Sequence, residues 1–96
     1  MADIAVSARS SVDGWVADVT VREGGGHAAH FRVRVSEVAW RRMTGGHAAV
    51  EDLLRASFEF LLEREPLGSI LQTFEVTLIP KYFPDYERAM RARFKA

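Results

Sequence analysis

The sequence predicts an α+β fold: a small antiparallel sheet, made of an N-terminal β-meander and one later strand, with helices packed on one face. Three observations carry this expectation. The N-terminal third alternates apolar and polar side chains with a period of two. Residues 48–64 then repeat apolar side chains at i, i+3, i+4 and i+7, and a second alternating stretch follows at 74–78.

Each element has its own signal. Ile4, Val6 and Ala8 alternate with smaller or polar residues, and Asp13-Gly14 supplies a turn. In WVADVTVRE, Trp15, Ala17, Val19 and Val21 fall on one face, and Val16, Asp18, Thr20 and Arg22 on the other. A half-buried antiparallel strand requires this pattern. After the loop GGGHAA, HFRVRV resumes it, with Phe31, Val33 and Val35 inward and Arg32 and Arg34 outward. Ser36 caps a short helix, EVAWRRM, which runs out at Thr44-Gly45-Gly46.

The second half opens with a helix from about Ala48 to Arg64. Val50, Leu53, Leu54, Ser57, Phe58, Leu61 and Leu62 form one stripe, opposite Glu51, Asp52, Arg55, Glu59 and Glu63. Pro66 stops it, because its ring and missing N–H cannot continue a helix. Ser69-Ile70-Leu71-Gln72 makes a turn, and Phe74, Val76 and Leu78 alternate with Glu75 and Thr77 as a fourth strand. Pro80 and Pro84 bracket KYF. A final helix, DYERAMRARF, places Tyr86, Ala89, Met90 and Phe94 together.

Composition narrows the class. A chain of 96 residues with 48% hydrophobic and 27% charged side chains is expected to form one domain over residues 1–96. Thirteen basic and thirteen acidic residues cancel, so no net field draws in nucleic acid or anionic membrane. The absence of cysteine removes disulfides, thiolate nucleophiles and cysteine-based zinc sites. The opening MADIAVSARSS has neither the charged start nor the apolar run of a signal peptide, and no segment is apolar enough to span a bilayer. The expectation is a cytoplasmic chain with no membrane association.

GGHAA occurs at Gly25–Ala29 and again at Gly45–Ala49, but the flanks do not match at that offset. The first copy belongs to a hairpin loop and the second to a helix junction, so they share no role. His27, His30 and His47 lie in loops or at a strand start, with no HExxH and no carboxylate cluster beside them, and no metal or cofactor is expected. Nucleophile elbows and phosphate-cradling loops are missing as well, so the chain is read as non-catalytic, with no small-molecule substrate.

Two surfaces remain. Arg22, Arg32 and Arg34 share the outward face of the hairpin, where guanidinium forks suit phosphate, although Asp18 shares that face and dilutes it. Arg41-Arg42 follow, and Arg88, Arg91, Arg93 and Lys95 form a second basic group at the C-terminus. Among the aromatics outside the main stripe, Phe83 and Tyr86 are assigned to the core, and Trp40 and Tyr82 are candidate partner contacts.

SFEFLLEREP at 57–66, SIL at 69–71, FEV at 74–76 and YFPDYE at 82–87 together resemble a family of small uncharacterised prokaryotic proteins. The shared positions are core and turn residues over the second half of the chain, so the resemblance implies fold and brings no site. The order of strands, helix and strand is also similar to that of HicB-type antitoxins, whose domain is a partial ribonuclease-H-like fold, and that likeness implies a protein partner. The expected function is therefore a protein-interaction module, adaptor or antitoxin-like, binding another protein or a second copy. The alternative is a nucleic-acid-associated role through Arg22, Arg32 and Arg34.

Overall fold

Residues 2–96 are described by a computed structural model. Period-two alternation becomes a three-stranded meander. Ala2–Ser11 (β1) and Gly14–Glu23 (β2) pair antiparallel without interruption, from Ala2 opposite Glu23 to Ser11 opposite Gly14. Ala28–Ser36 (β3) pairs antiparallel with β2, setting Val19 against Phe31 and Ala17 against Val33. Inward side chains thus align in rows, and Ala17, Val19, Val21, Val33 and Val35 are buried. Gly14 is demanded by close approach, since a Cβ there would lie 2.1 Å from the carbonyl oxygen of Val35. The loop before β3 turns through Gly24 and Gly25, with φ of 56° and 79°, a region that disfavours other residues.

Glu37–Thr44 (α1) begins where Ser36 Oγ accepts the Ala39 N–H at 3.1 Å. It ends at Gly45, left-handed at φ 71°, whose N–H donates to the Arg41 carbonyl. The two GGHAA copies therefore occupy a hairpin loop and a helix junction. Val50–Leu62 (α2) lays Leu53, Leu54, Phe58 and Leu61 on the sheet. Each such buried side chain contributes about 1.5–3 kcal/mol relative to an exposed one.

The expected stripe on α2 shifts at one flank: Leu62 is half-buried, while Ala56 and Phe60 are buried. The cause is Tyr86–Phe94 (α4), which packs beside α2 and sets the Tyr86 ring 5.3 Å from Phe60. Ion pairs tie α4 and the residue before it to α1 and to α2 and its C-terminal end. Arg42 reaches Glu87 through two hydrogen bonds of 2.9 and 3.0 Å, Arg93 meets Glu59 at 2.7 Å, and Arg64 meets Asp85 at 2.9 Å.

The fourth strand departs from expectation. Thr73–Glu75 (β4) runs parallel to β3, with Val33 opposite Phe74, so the sheet is mixed in the order β1-β2-β3-β4. A parallel neighbour needs a crossover, which α1 and α2 supply. Val76–Leu78 leaves the sheet as a 3₁₀ turn and leads into Ile79–Tyr82 (α3), with Pro80 in its first turn. Proline is tolerated there because its missing N–H would be unsatisfied anyway, whereas it cannot extend a paired strand. The fold is α+β with the helices on one face of the sheet.

Candidate functional site

α2 has ended at Leu62 before Pro66 is reached, and Leu67–Ser69 forms a 3₁₀ turn. Ile70 returns to the core while Leu71 points outward, 54% exposed. Pro80 then starts α3, which presents Tyr82 to solvent at 68% exposure. Between these segments lies a cleft of about 220 Å³, walled by Leu61, Ile70, Phe74 and Ile79, with Leu71 and Tyr82 also lining it. Small-molecule sites commonly enclose roughly 300–1,000 Å³. This cleft is smaller and has room for a large apolar side chain. Glu65 is the one carboxylate among its lining residues, and no histidine joins it.

The opposite sheet face carries the hairpin arginines. Arg32 stands across from Asp18 on one side and Thr73 on the other, and Arg34 across from Val16 and Glu75. Asp18 accepts from Arg9 at 3.1 Å and from Arg32 at 3.4 Å. The Arg9 hydrogen bond, with Arg32 behind it, holds the Asp18 carboxyl below its ordinary value. Arg22 donates to the Gly26 carbonyl at 3.1 Å. Asp3, Asp18 and Glu75 interleave with the arginines on this face, so it is charged in both signs. Of the other basic residues, Arg41 pairs with Glu37, Arg42 with Glu87, and Arg93 with Glu59.

Of the two aromatic candidates, Tyr82 sits at the cleft and Trp40 does not. Trp40 is half-buried, donates through Nε1 to the Ala48 carbonyl at 2.7 Å, and packs edge-on to Trp15 at 5.2 Å. Its polar atom is satisfied within the chain, so it closes the α1–α2 junction. Tyr86 is fully buried and Phe83 partly so. The sequence reading passed over Leu71 and Ile79 as cleft residues. Leu71 had one legible sign, an apolar residue following Ile70 in a turn where only one of two neighbours can face inward. For Ile79 the spacing gave none, because it follows the pattern of a strand.

His30 Nδ1 lies 3.2 Å from Thr20 Oγ1 on the open sheet face, His47 packs over Gly45, and His27 is exposed in the hairpin loop. Among the described residues, no three His, Asp or Glu side chains gather as a metal-binding group. No helix among them is long and apolar enough to cross a membrane. Comparison with family models, with curated proteins and with solved structures finds no match for this chain.

Proposed function

We propose that this chain is a non-catalytic protein-interaction module, adaptor or antitoxin-like and cytoplasmic, which seats an apolar side chain of a partner protein in the cleft beside Tyr82. The observation behind the proposal is the pairing of an apolar recess with exposed apolar side chains, Leu71 and Tyr82. Interfaces concentrate their binding energy in aromatic and apolar anchors seated in desolvated pockets, and tyrosine is enriched among them. The cleft's size favours a protruding residue over a cofactor.

A second reading draws on the open sheet face, where Arg34 has no ion-pair partner among the described residues and Arg22 and Arg32 stand nearby. Phosphate contacts there would weaken steeply with salt as counterions are released. The interleaved carboxylates argue against it as the main role.

The deciding experiment is a pull-down of the tagged protein from lysate of its own host, with and without nuclease, at low and high salt. A protein partner retained after nuclease treatment at high salt is expected. Recovery of nucleic acid alone, lost at high salt, would replace the cleft reading with the arginine-face reading.

A further inference from the structure

Strand β1 closes one side of the sheet and runs for 10 residues without a bulge. Soluble proteins blunt such edges with lysine, proline, bulges or short strands. ADIAVSARSS contains no lysine and no proline. The Val12-Asp13 turn closes on the pair Ser11–Gly14, so odd-numbered residues of β1 exchange hydrogen bonds with β2. The N–H and C=O groups of Ile4, Val6 and Ala8 therefore face outward. Arg55 agrees with this assignment: its Nε donates to the Ile4 carbonyl at 3.4 Å, the one hydrogen bond that the described residues send to this edge.

We propose that β1 pairs with β1 of a second copy of this chain, antiparallel about a two-fold axis through Val6, joining two sheets edge to edge. The charge pattern of β1 selects both partner and register. Asp3 and Arg9 are its only charged residues, and they stand three positions either side of Val6 on the solvent face. In this register each Asp3 carboxylate meets the Arg9 guanidinium of the second copy, which also holds Asp18 of its own chain at 3.1 Å, at the non-hydrogen-bonded positions where cross-strand side chains lie closest. Val6 then faces Val6, and Ile4 faces Ala8, so residues with outward backbone groups meet one another. An axis through Ala5 or Ser7 keeps the backbone pairing but sets Asp3 against Ser7 or Ser11 and leaves the charges unmatched.

The apolar side chains fit the same arrangement. Ile4, Val6 and Ala8 are only half-buried on the inner face. A groove of about 510 Å³ runs from Ala2 and Ile4 to Leu62 and Ala89, with Glu59, Glu63 and Arg93 also among its walls. Because inner-face residues meet inner-face residues, both helix layers lie on the same side of the joined sheet, and α2 of each copy flanks the seam. Pairing takes the Ile4 carbonyl from Arg55, which retains Asp52 at 3.2 Å. The edge lies across the sheet from β4 and the cleft, so the inference stands independently of the partner-binding reading.

Sedimentation equilibrium of the full chain from micromolar to millimolar concentration tests it, with Asp3→Arg, Arg9→Asp and their equimolar mixture alongside. The wild type is expected to pass from monomer to dimer. Each variant sets like charges together at both ends of the seam and raises the dimer dissociation constant about tenfold or more. The mixture restores an opposite pair at each end and recovers dimer formation. A wild type that stays monomeric at millimolar concentration would overturn the proposal and leave the edge to a strand of some other protein. A dimer that both variants form as well as the wild type would overturn it too, placing the interface elsewhere. Hydrogen exchange of the wild type reads the same edge without any substitution. The Val6 and Ala8 amides should slow as concentration rises, and concentration-independent exchange would contradict the pairing.

Discussion

Replacing Ser57 by alanine should cost the fold more than replacing Tyr86 by phenylalanine, although each removes a single oxygen. Both side chains are buried, at 1% and 0% exposure. Ser57 Oγ donates to the Leu53 carbonyl at 2.7 Å, which commits its one proton. The Tyr86 hydroxyl, 2.6 Å away, must then donate to Ser57 Oγ. In Tyr86→Phe the serine keeps its bond to Leu53 and no polar atom is orphaned, so the loss is about 1 kcal/mol. In Ser57→Ala the phenol O–H stays in the core without an acceptor, and the loss rises to about 2–3 kcal/mol. Urea unfolding followed by tryptophan fluorescence measures the difference. With a slope of about 1 kcal/mol per molar, the two midpoints should separate by about 1–2 M. The double variant, with both hydroxyls gone, should be more stable than Ser57→Ala alone. A Ser57→Ala protein as stable as Tyr86→Phe, or a double variant that loses the sum of both, would refute the donor assignment.

Other consequences can be checked the same way. Gly14→Ala drives a Cβ into the Val35 carbonyl and should cost about 2–3 kcal/mol, seen as a fall in Tm of roughly 10–20 °C. Ser36→Ala removes the α1 cap and should cost about 1 kcal/mol in the same denaturation assay. Burial pushes the Tyr86 phenol well above its ordinary value. The unfolded chain sheds that proton near pH 10 while the folded chain holds it, so stability falls as pH rises above about 10. The slope reaches up to about 1.4 kcal/mol per pH unit for one proton, and Tyr86→Phe should remove that share in an alkaline unfolding series. Arg32→Glu with Arg34→Glu should leave partner binding unchanged in a nuclease-treated pull-down; loss of binding would move the site to the sheet face.

Most of the fold was legible because its elements obey strong periodicities. Trp15 to Val21 and Phe31 to Val35 alternate cleanly, and β2 and β3 appear where that alternation lies. Ser36 and Gly45 announce the ends of α1 in their residue types, and Pro66 lies beyond the end of α2. The misreading at 74–78 has a specific cause. Three apolar residues at spacing two fit a strand, but they fit equally well a short extended segment that bends into a 3₁₀ turn, and Pro80 tips the balance. Parallel pairing is invisible locally, because it depends on where the crossover delivers the chain. Phe60 was hidden for a related reason: its burial is imposed by α4, more than twenty residues away. The cleft belongs to the same class, since its walls come from α2, the turn after it, β4 and α3. Tyr82 was recoverable only as an aromatic residue between two prolines.

The reading of the cleft as the partner site stands or falls on the affinity of a captured partner for cleft variants, measured by titration calorimetry on the purified pair. Tyr82→Ala and Leu71→Glu should each weaken binding by about tenfold or more, as truncating a seated anchor does at other interfaces, while the arginine variants bind as the wild type does. Undiminished binding by both cleft variants would contradict the account.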